Sequence, residues 1–289
     1  MSQEFSPNDL ATNRCDFNIT IQQKGGVGKS YVAFCLTSYY YDNFSKDIKC
    51  YDMDNNNASF SAFHTFGVDH FVNGYNNETL PLKFEDLIDN IIHDDAQKSI
   101  FIDCGVGASE SAYMQLFRGR KLFDIIEKNF NRVLIHIPIC GGTDAEHCCK
   151  NALDMLKEFV DMTKELSEIY DRNDIQFSKV KFVVWENPRK GSVHYQGKNF
   201  NEILKKQYPE LTIRYIPMPI IPIPFSTEFE NMRKAGLAFA DLENPEIINK
   251  IRQGEYAQYS LNPISILNCR KQVRKAIYQV LSDVYQALD

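Results

Sequence analysis

Apolar and polar positions along this chain follow two rhythms. Short runs rich in β-branched and aromatic residues, at 17–22, 48–52, 99–103, 133–138, 180–185 and 212–216, read as strands. The longer stretches between and after them read as helices at 29–41, 84–93, 109–128, 144–170, 197–207, 227–234 and 264–288. In the last of these, Ile266, Val273, Ile277, Val280, Val284 and Leu288 recur close to helical spacing. Strands separated by helix-length segments predict an α/β fold, a doubly wound and mostly parallel sheet with helices on both faces. Polar stretches at 73–78 and 186–196 read as surface loops. The prolines between 217 and 224 exclude helix there and predict a stiff extended loop. Ligands of such sheets bind beyond the carboxyl ends of the strands, so the residues just after each run are the places to look for chemistry.

Composition narrows the class without changing that picture. The 289 residues are 44% hydrophobic and 24% charged, the balance of a globular chain with ample apolar surface for a core. One domain over 17–289, behind a polar extension at 1–16, is the expected organisation. A net charge of -6 argues against a whole-surface grip on nucleic acid or anionic lipid and leaves only local basic patches open. The eight cysteines include no CxxC pair and the six histidines show no ligand spacing, so no zinc site is expected. The first 16 residues lack an apolar signal core, and no segment approaches the roughly 20 apolar residues that span a bilayer. Cytoplasmic localisation without stable membrane insertion is the expectation.

The sharpest motif follows the first strand. Lys24-Gly25-Gly26-Val27-Gly28-Lys29-Ser30 leads directly into an apolar helical stretch, which is the strand–loop–helix context of a phosphate loop. Glycines let consecutive backbone N–H groups turn toward phosphate oxygens, and the helix beginning near Lys29 adds its positive dipole end. Lys29 can then neutralise the outer phosphates while the Ser30 hydroxyl completes a Mg²⁺ shell. The bland alternative is a glycine-rich turn between strand and helix. The general motif wants glycine six positions before the second lysine, and Gln23 stands there.

Two more strand ends carry acids. In Tyr51-Asp52-Met53-Asp54 the carboxylates alternate along an extended backbone and so share one side. A carboxylate beside a terminal phosphate can hold a Mg²⁺-bound water or orient the attacking water; a pair of solvated turn acids is the plain alternative. The strand at 99–103 closes in Asp103, followed by Cys104-Gly105-Val106-Gly107, whose glycines allow backbone movement.

The spacing Lys24-Gly25-Gly26 then Gly28-Lys29-Ser30 resembles the deviant P-loop of the ParA/MinD-like ATPases. That resemblance implies ATP with Mg²⁺ as ligands, with Gly25, Gly26, Val27, Gly28, Lys29 and Ser30 as the phosphate cradle. It makes Lys24 the lysine that reaches across a nucleotide-sandwich homodimer. It gives Asp54 the water-activating position and assigns Asp52 and Asp103 to the Mg²⁺ network. Asn55 stands where the family commonly has proline. Asn187, in Trp185-Glu186-Asn187-Pro188, resembles the strand-ending asparagine whose amide pairs with adenine, and the loop 219–225 takes the place that covers the other side of the base. Lys29-Ser30-Tyr31, Asp54 through Phe60, the run 182–188, Gly197-Lys198-Asn199-Phe200 and Ile223-Pro224 occur in the order of TraL-type conjugal-transfer ATPases. This adds Tyr31 and Pro224 to the nucleotide-binding set and implies a slowly hydrolysing switch serving conjugative transfer through a protein partner. Two alternatives stay open. A ParA-type partition ATPase would bind DNA through Arg270, Lys271, Arg274 and Lys275, four cations that equally suit the solvated side of a helix. A nucleotide-regulated scaffold would bind ATP with little turnover.

Overall fold

A computed structural model describes residues 15–44, 46–54, 59–70, 80–95, 97–118, 121–169 and 178–288. Most of the 1–16 extension, the loop at Asn55–Asn57 and the stretch 73–78 lie outside these residues. In chain order the elements begin with β1 (Asp16–Thr20), α1 (Lys29–Asn43), β2 (Ile48–Asp52), β3 (Asp69–His70) and α2 (Leu80–Asn90). Then come β4 (Ser99–Asp103), α3 (Val106–Tyr113), α4 (Lys121–Asn129), β5 (Arg132–Cys140), α5 (Ala145–Ile169) and β6 (Val180–Asn187). The last are β7 (His194–Tyr195), β8 (Lys198–Asn199), α6 (Phe200–Gln207), β9 (Ile213–Pro217), α7 (Ser226–Lys234), α8 (Pro245–Arg252) and α9 (Pro263–Leu288).

Seven strands form one sheet in the order β3-β2-β4-β1-β5-β6-β9, with every neighbouring pair parallel. Parallel strands buried on both faces require apolar residues at consecutive positions, which is why the strand runs are so uniformly hydrophobic. Successive side chains point to opposite faces. Phe17, Ile19, Ile100, Ile102, Val133 and Ile135 pack under α2 to α6. Phe101, Leu134, Val183 and Trp185 pack under α1, α7, α8 and α9. The predicted doubly wound architecture is what forms.

The second face also holds a set of buried polar groups that pair with one another. The Trp185 indole N–H donates to Nδ1 of His136 at 3.1 Å, which fixes that nitrogen as unprotonated, and Nε2 lies 3.2 Å from Asn18 Oδ1. Asn18 donates in turn to the Ile100 carbonyl at 3.2 Å, so one polar line crosses four strands. At the other end of β1, Asp16 is buried against the Arg132 guanidinium and accepts from the Tyr40 hydroxyl at 2.8 Å.

Several elements differ from the expectation. The helix predicted over 109–128 is broken into α3, a π-turn at Met114–Arg118, and α4. The helix predicted from Gly197 starts at Phe200, because Asn199 caps it by accepting from the Glu202 N–H at 3.3 Å. Gly197, in a left-handed conformation, turns the β7–β8 hairpin instead. The first strand of that hairpin lies in the stretch read as a plain loop and the second in the stretch read as helix, and α8, capped by Asn244 with Pro245 at its first position, is absent from the expectation.

The tips of β2, β4 and β1 stand side by side: Asp52 pairs in register with Asp103, and Asp103 with Thr20. From there α1 leaves to one face and α3 to the other. Diverging connections open the crevice in which such sheets bind ligands.

Candidate functional site

The loop leaving β1 is held from below before it reaches its glycines. Gln22 is buried, and its amide donates to the carbonyls of Pro138 and Cys148 at 3.2 and 3.3 Å and accepts from Asn151 at 3.0 Å. Its backbone N–H donates to the Ser109 hydroxyl at 3.1 Å. Gln22 therefore locks the loop entry to β5, α5 and α3. The polar amide ending an apolar run was the signal for it, and motif reading passed over it.

Gly28 is the N-cap residue of α1, with φ 107° and ψ 22°. A side chain there would be strained and would also meet Met218 at 3.1 Å, so glycine is required twice over. The helix has no side-chain cap and no acid in its first turn. Its first N–H groups thus have no acceptor from a capping side chain or an acid of the helix's own first turn, a state that a phosphate would satisfy. Lys29 is buried with its ammonium donating to the Lys24 carbonyl at 3.1 Å. Burial lowers its pKa, and the carboxylate of Asp103 acts in the opposite direction.

These groups open into a cavity of about 600 Å³. Of the residues expected from sequence, Gly25, Gly26, Gly28, Lys29, Ser30, Tyr31, Asp54 and Asn187 line it. Its charged lining is four cations, Lys29, Arg189, Lys190 and Arg233, against Asp54 and Glu230. Lys190 is paired with Asp144 and Arg233 with Glu230, which leaves Lys29 and Arg189 as the cations of the lining that face Asp54.

Lys24, Val27, Asp52, Asp103 and Pro224 do not line the cavity. Lys24 turns away to Asp144 at 3.0 Å, and Asp144 also holds Lys190 at 2.7 Å. Val27 is buried, its carbonyl accepting from Asn187 at 3.0 Å. Asp52 is committed to its own loop, accepting from the N–H groups of Asp54, Phe60 and Ser61 at 2.9, 3.1 and 2.8 Å. Its structural work is therefore to staple the chain on both sides of residues 55–58. Pro224 is a correction to the expected base cover: it sits exposed in the turn Ile223–Phe225 just before α7. The wall is built from Met218, Pro219, Ile220 and Ile221 instead. The reason is that the Met218 N–H donates to the Glu186 carbonyl at 2.8 Å and keeps the start of the loop beside the tip of β6.

Asn187 keeps capacity for a ligand. Its Nδ2 serves Val27 and its Oδ1 accepts from the Arg189 N–H at 3.1 Å, which leaves one donor hydrogen and one acceptor lone pair. That is the pairing a purine edge offers.

Asp103 is fully buried, and neither carboxylate oxygen has a hydrogen-bond partner of good geometry. Burial pushes its pKa up to about 7, against the pull of the Ser30 hydroxyl and the Lys29 ammonium. An orphaned buried carboxylate beside a hydroxyl fits a hard divalent cation. Among the described residues no group of three or more His, Cys, Asp or Glu gathers to hold a metal alone. A Mg²⁺ held by Ser30 and Asp103 would complete its shell with water and phosphate oxygens. Gly105 packs against Asp54 so closely that a Cβ there would lie 2.7 Å from the Asp54 Cα. The loops after β2 and β4 are thus in mutual contact.

No family model matches the chain. Protein TraL of Escherichia coli is 24% identical over 228 residues, covering 77% of this chain and 84% of the relative. A second Protein TraL of Escherichia coli is 22% identical over 186 residues, covering 64% of this chain and 68% of the relative. In sequence the chain resembles Protein TraL, and its phosphate loop resembles that of the ParA/MinD-like ATPases. Among solved structures, a nucleotide-binding protein from Archaeoglobus fulgidus in complex with ADP covers 81% of this chain and 92% of its own, at 15% identity and TM-score 0.37. Apo McdA of Cyanthece covers 91% of this chain and 100% of its own, at 12% identity and TM-score 0.40. Among the described residues, no helix is long and apolar enough to cross a membrane.

Proposed function

We propose that this protein is a cytoplasmic P-loop ATPase, with residues 17–289 as one ATPase domain, that binds ATP with Mg²⁺ and hydrolyses it slowly as a switch in conjugative transfer of a plasmid or integrative element. The observation that carries the reading is the uncapped, acid-free start of α1, with Lys29 and Ser30 opening into a cation-rich cavity. In this reading the N–H groups of residues 25–30 cradle the phosphates and Lys29 neutralises the outer oxygens. When bound, Mg²⁺ spreads the charge of the two outer phosphates, and Ser30 and Asp103 hold it. Asp54 orients the attacking water and Asn187 meets the base. Lys24 leaves Asp144 to reach the phosphates of a second copy in an ATP-dependent homodimer.

The likeness to TraL supports transfer over partition. So does the basic cluster on α9, half of which is already neutralised: Arg270 pairs with Glu243, and Arg274 with Glu243 and Asp42 at 2.7 and 3.0 Å. A protein partner is favoured over DNA on that ground.

Phosphate release and light scattering with Mg²⁺-ATP, with and without DNA, test the proposal. The parent is expected to turn over slowly and dimerise with ATP, Lys24→Ala to lose both, and Asp54→Ala to bind ATP without turnover. A parent that binds no ATP refutes the function, an undiminished ATP dimer of Lys24→Ala refutes the sandwich, and DNA-stimulated turnover shifts the role to partition.

A further inference from the structure

Tyr31 is the third residue of α1, on the same first turn as Lys29 and Ser30. Its hydroxyl donates to the Pro219 carbonyl at 2.9 Å. Its ring meets Phe229 of α7 edge-on, 6.1 Å between centroids and 88° between planes. Tyr31 and Pro219 both line the cavity, from opposite elements 188 residues apart in sequence. The main chain of the proline-rich loop is tied near its ends, by the Met218 N–H to the Glu186 carbonyl at 2.8 Å and by the Phe225 N–H to the Pro222 carbonyl at 2.9 Å. Tyr31 ties it in between, where Pro219 and Pro222 have no N–H to offer. Burial raises the Tyr31 pKa well above the ordinary phenol range, so the hydroxyl stays a donor at any working pH.

We propose that Tyr31 is a positioning residue whose hydroxyl straps the 218–222 loop to the phosphate-binding turn of α1, setting the wall of the base end at a fixed distance from the phosphate end. This rests on reading the cavity as a nucleotide site and names how that site tells a nucleoside triphosphate from bare polyphosphate. A ligand that spans both ends gains from a wall held in place. A ligand filling only the phosphate end does not depend on it.

Tyr31→Phe removes the strap and keeps the ring on Phe229. The test combines amide hydrogen exchange of the nucleotide-free protein with titrations of ATP and of inorganic triphosphate. Exchange at Met218 and Phe225, whose N–H groups are the bonded ones on either side of the strap, is expected to quicken in the variant, before any ligand is added. ATP affinity is expected to fall about threefold to tenfold, roughly 0.7–1.4 kcal/mol, while triphosphate affinity stays within about twofold of the parent. Unchanged exchange at Met218 and Phe225 overturns the strap. Equal weakening of ATP and triphosphate overturns it as well, because the hydroxyl would then be supporting the helix and not the base wall. A parent that binds triphosphate but not ATP overturns the ATP reading, and the exchange measurement still decides the strap.

Discussion

Replacing Gly105 with alanine should disable hydrolysis while leaving nucleotide binding largely intact. The added Cβ would lie 2.7 Å from the Asp54 Cα, 2.8 Å from its Cγ and 2.9 Å from its Oδ1. Two of those neighbours are at or next to the backbone, so the clash cannot be relieved by a flexible side-chain end. Gly105 itself is outside the left-handed region, so the penalty is purely one of space. To reach 3.4 Å, where ordinary contact begins, Asp54 must retreat by about 0.7 Å. A misplacement near 1 Å lowers a positioned reaction about 10²-fold, so turnover should fall roughly 30- to 100-fold. Overpacking of this kind costs about 1–3 kcal/mol of stability, which leaves a folded protein to assay. The Lys29 and Ser30 side of the cavity is not moved, so ATP affinity should stay close to the parent's. Phosphate release at saturating Mg²⁺-ATP, with affinity from a fluorescent ATP analogue and folding from circular dichroism, separates the terms. Parent-like turnover of Gly105→Ala beside an inactive Asp54→Ala would refute the coupling of the two loops. So would a fall in affinity as large as the fall in turnover.

Two further predictions concern the scaffold. Asp16→Ala leaves the buried Arg132 guanidinium and the Tyr40 hydroxyl without their acceptor and should cost about 3–5 kcal/mol in urea unfolding; a loss under about 1 kcal/mol would show that Arg132 finds water instead. His136 has its pKa pushed by burial down to about 3, so the fold prefers it neutral while the unfolded chain protonates near pH 6.5. Its contribution is fully present above about pH 6.5 and is lost toward pH 3 at up to about 1.4 kcal/mol per pH unit, so parent and His136→Gln stability should converge as pH falls, and parallel curves would refute this.

The sequence residues that gather at the candidate site were legible because they lie in local motifs. The candidate phosphate loop is one contiguous stretch at 24–30 in which Gly28 is required by its backbone conformation, and the carboxyl-terminal acids of β2 and β4 close their own strands. What escaped was set by partners remote in sequence. Asp52 is indistinguishable from Asp54 on paper, yet three N–H groups claim it while Asp54 reaches the cavity. Pro224 matched a short motif, but the register of the loop leaving β9 brought Met218 and Pro219 to the wall. Gln22 and Asp144 carry no motif at all, and matter because β5 and α5 pass beside the P-loop.

The sequence by itself determined the alternation of strand and helix, and with it the doubly wound sheet, because the periods of 2 and 3.6 are properties of the backbone that any burial pattern must follow. It also determined the glycine-capped, acid-free start of α1, since glycine conformation and a missing acid are one-residue facts. Only the tertiary structure decided which carboxylate lines the cavity, which lysine pairs with Asp144 and which proline of the loop stands in the cavity wall. Those outcomes depend on hydrogen bonds and ion pairs between elements up to 188 residues apart, such as the one joining Tyr31 to Pro219, and no local pattern encodes who the partner will be.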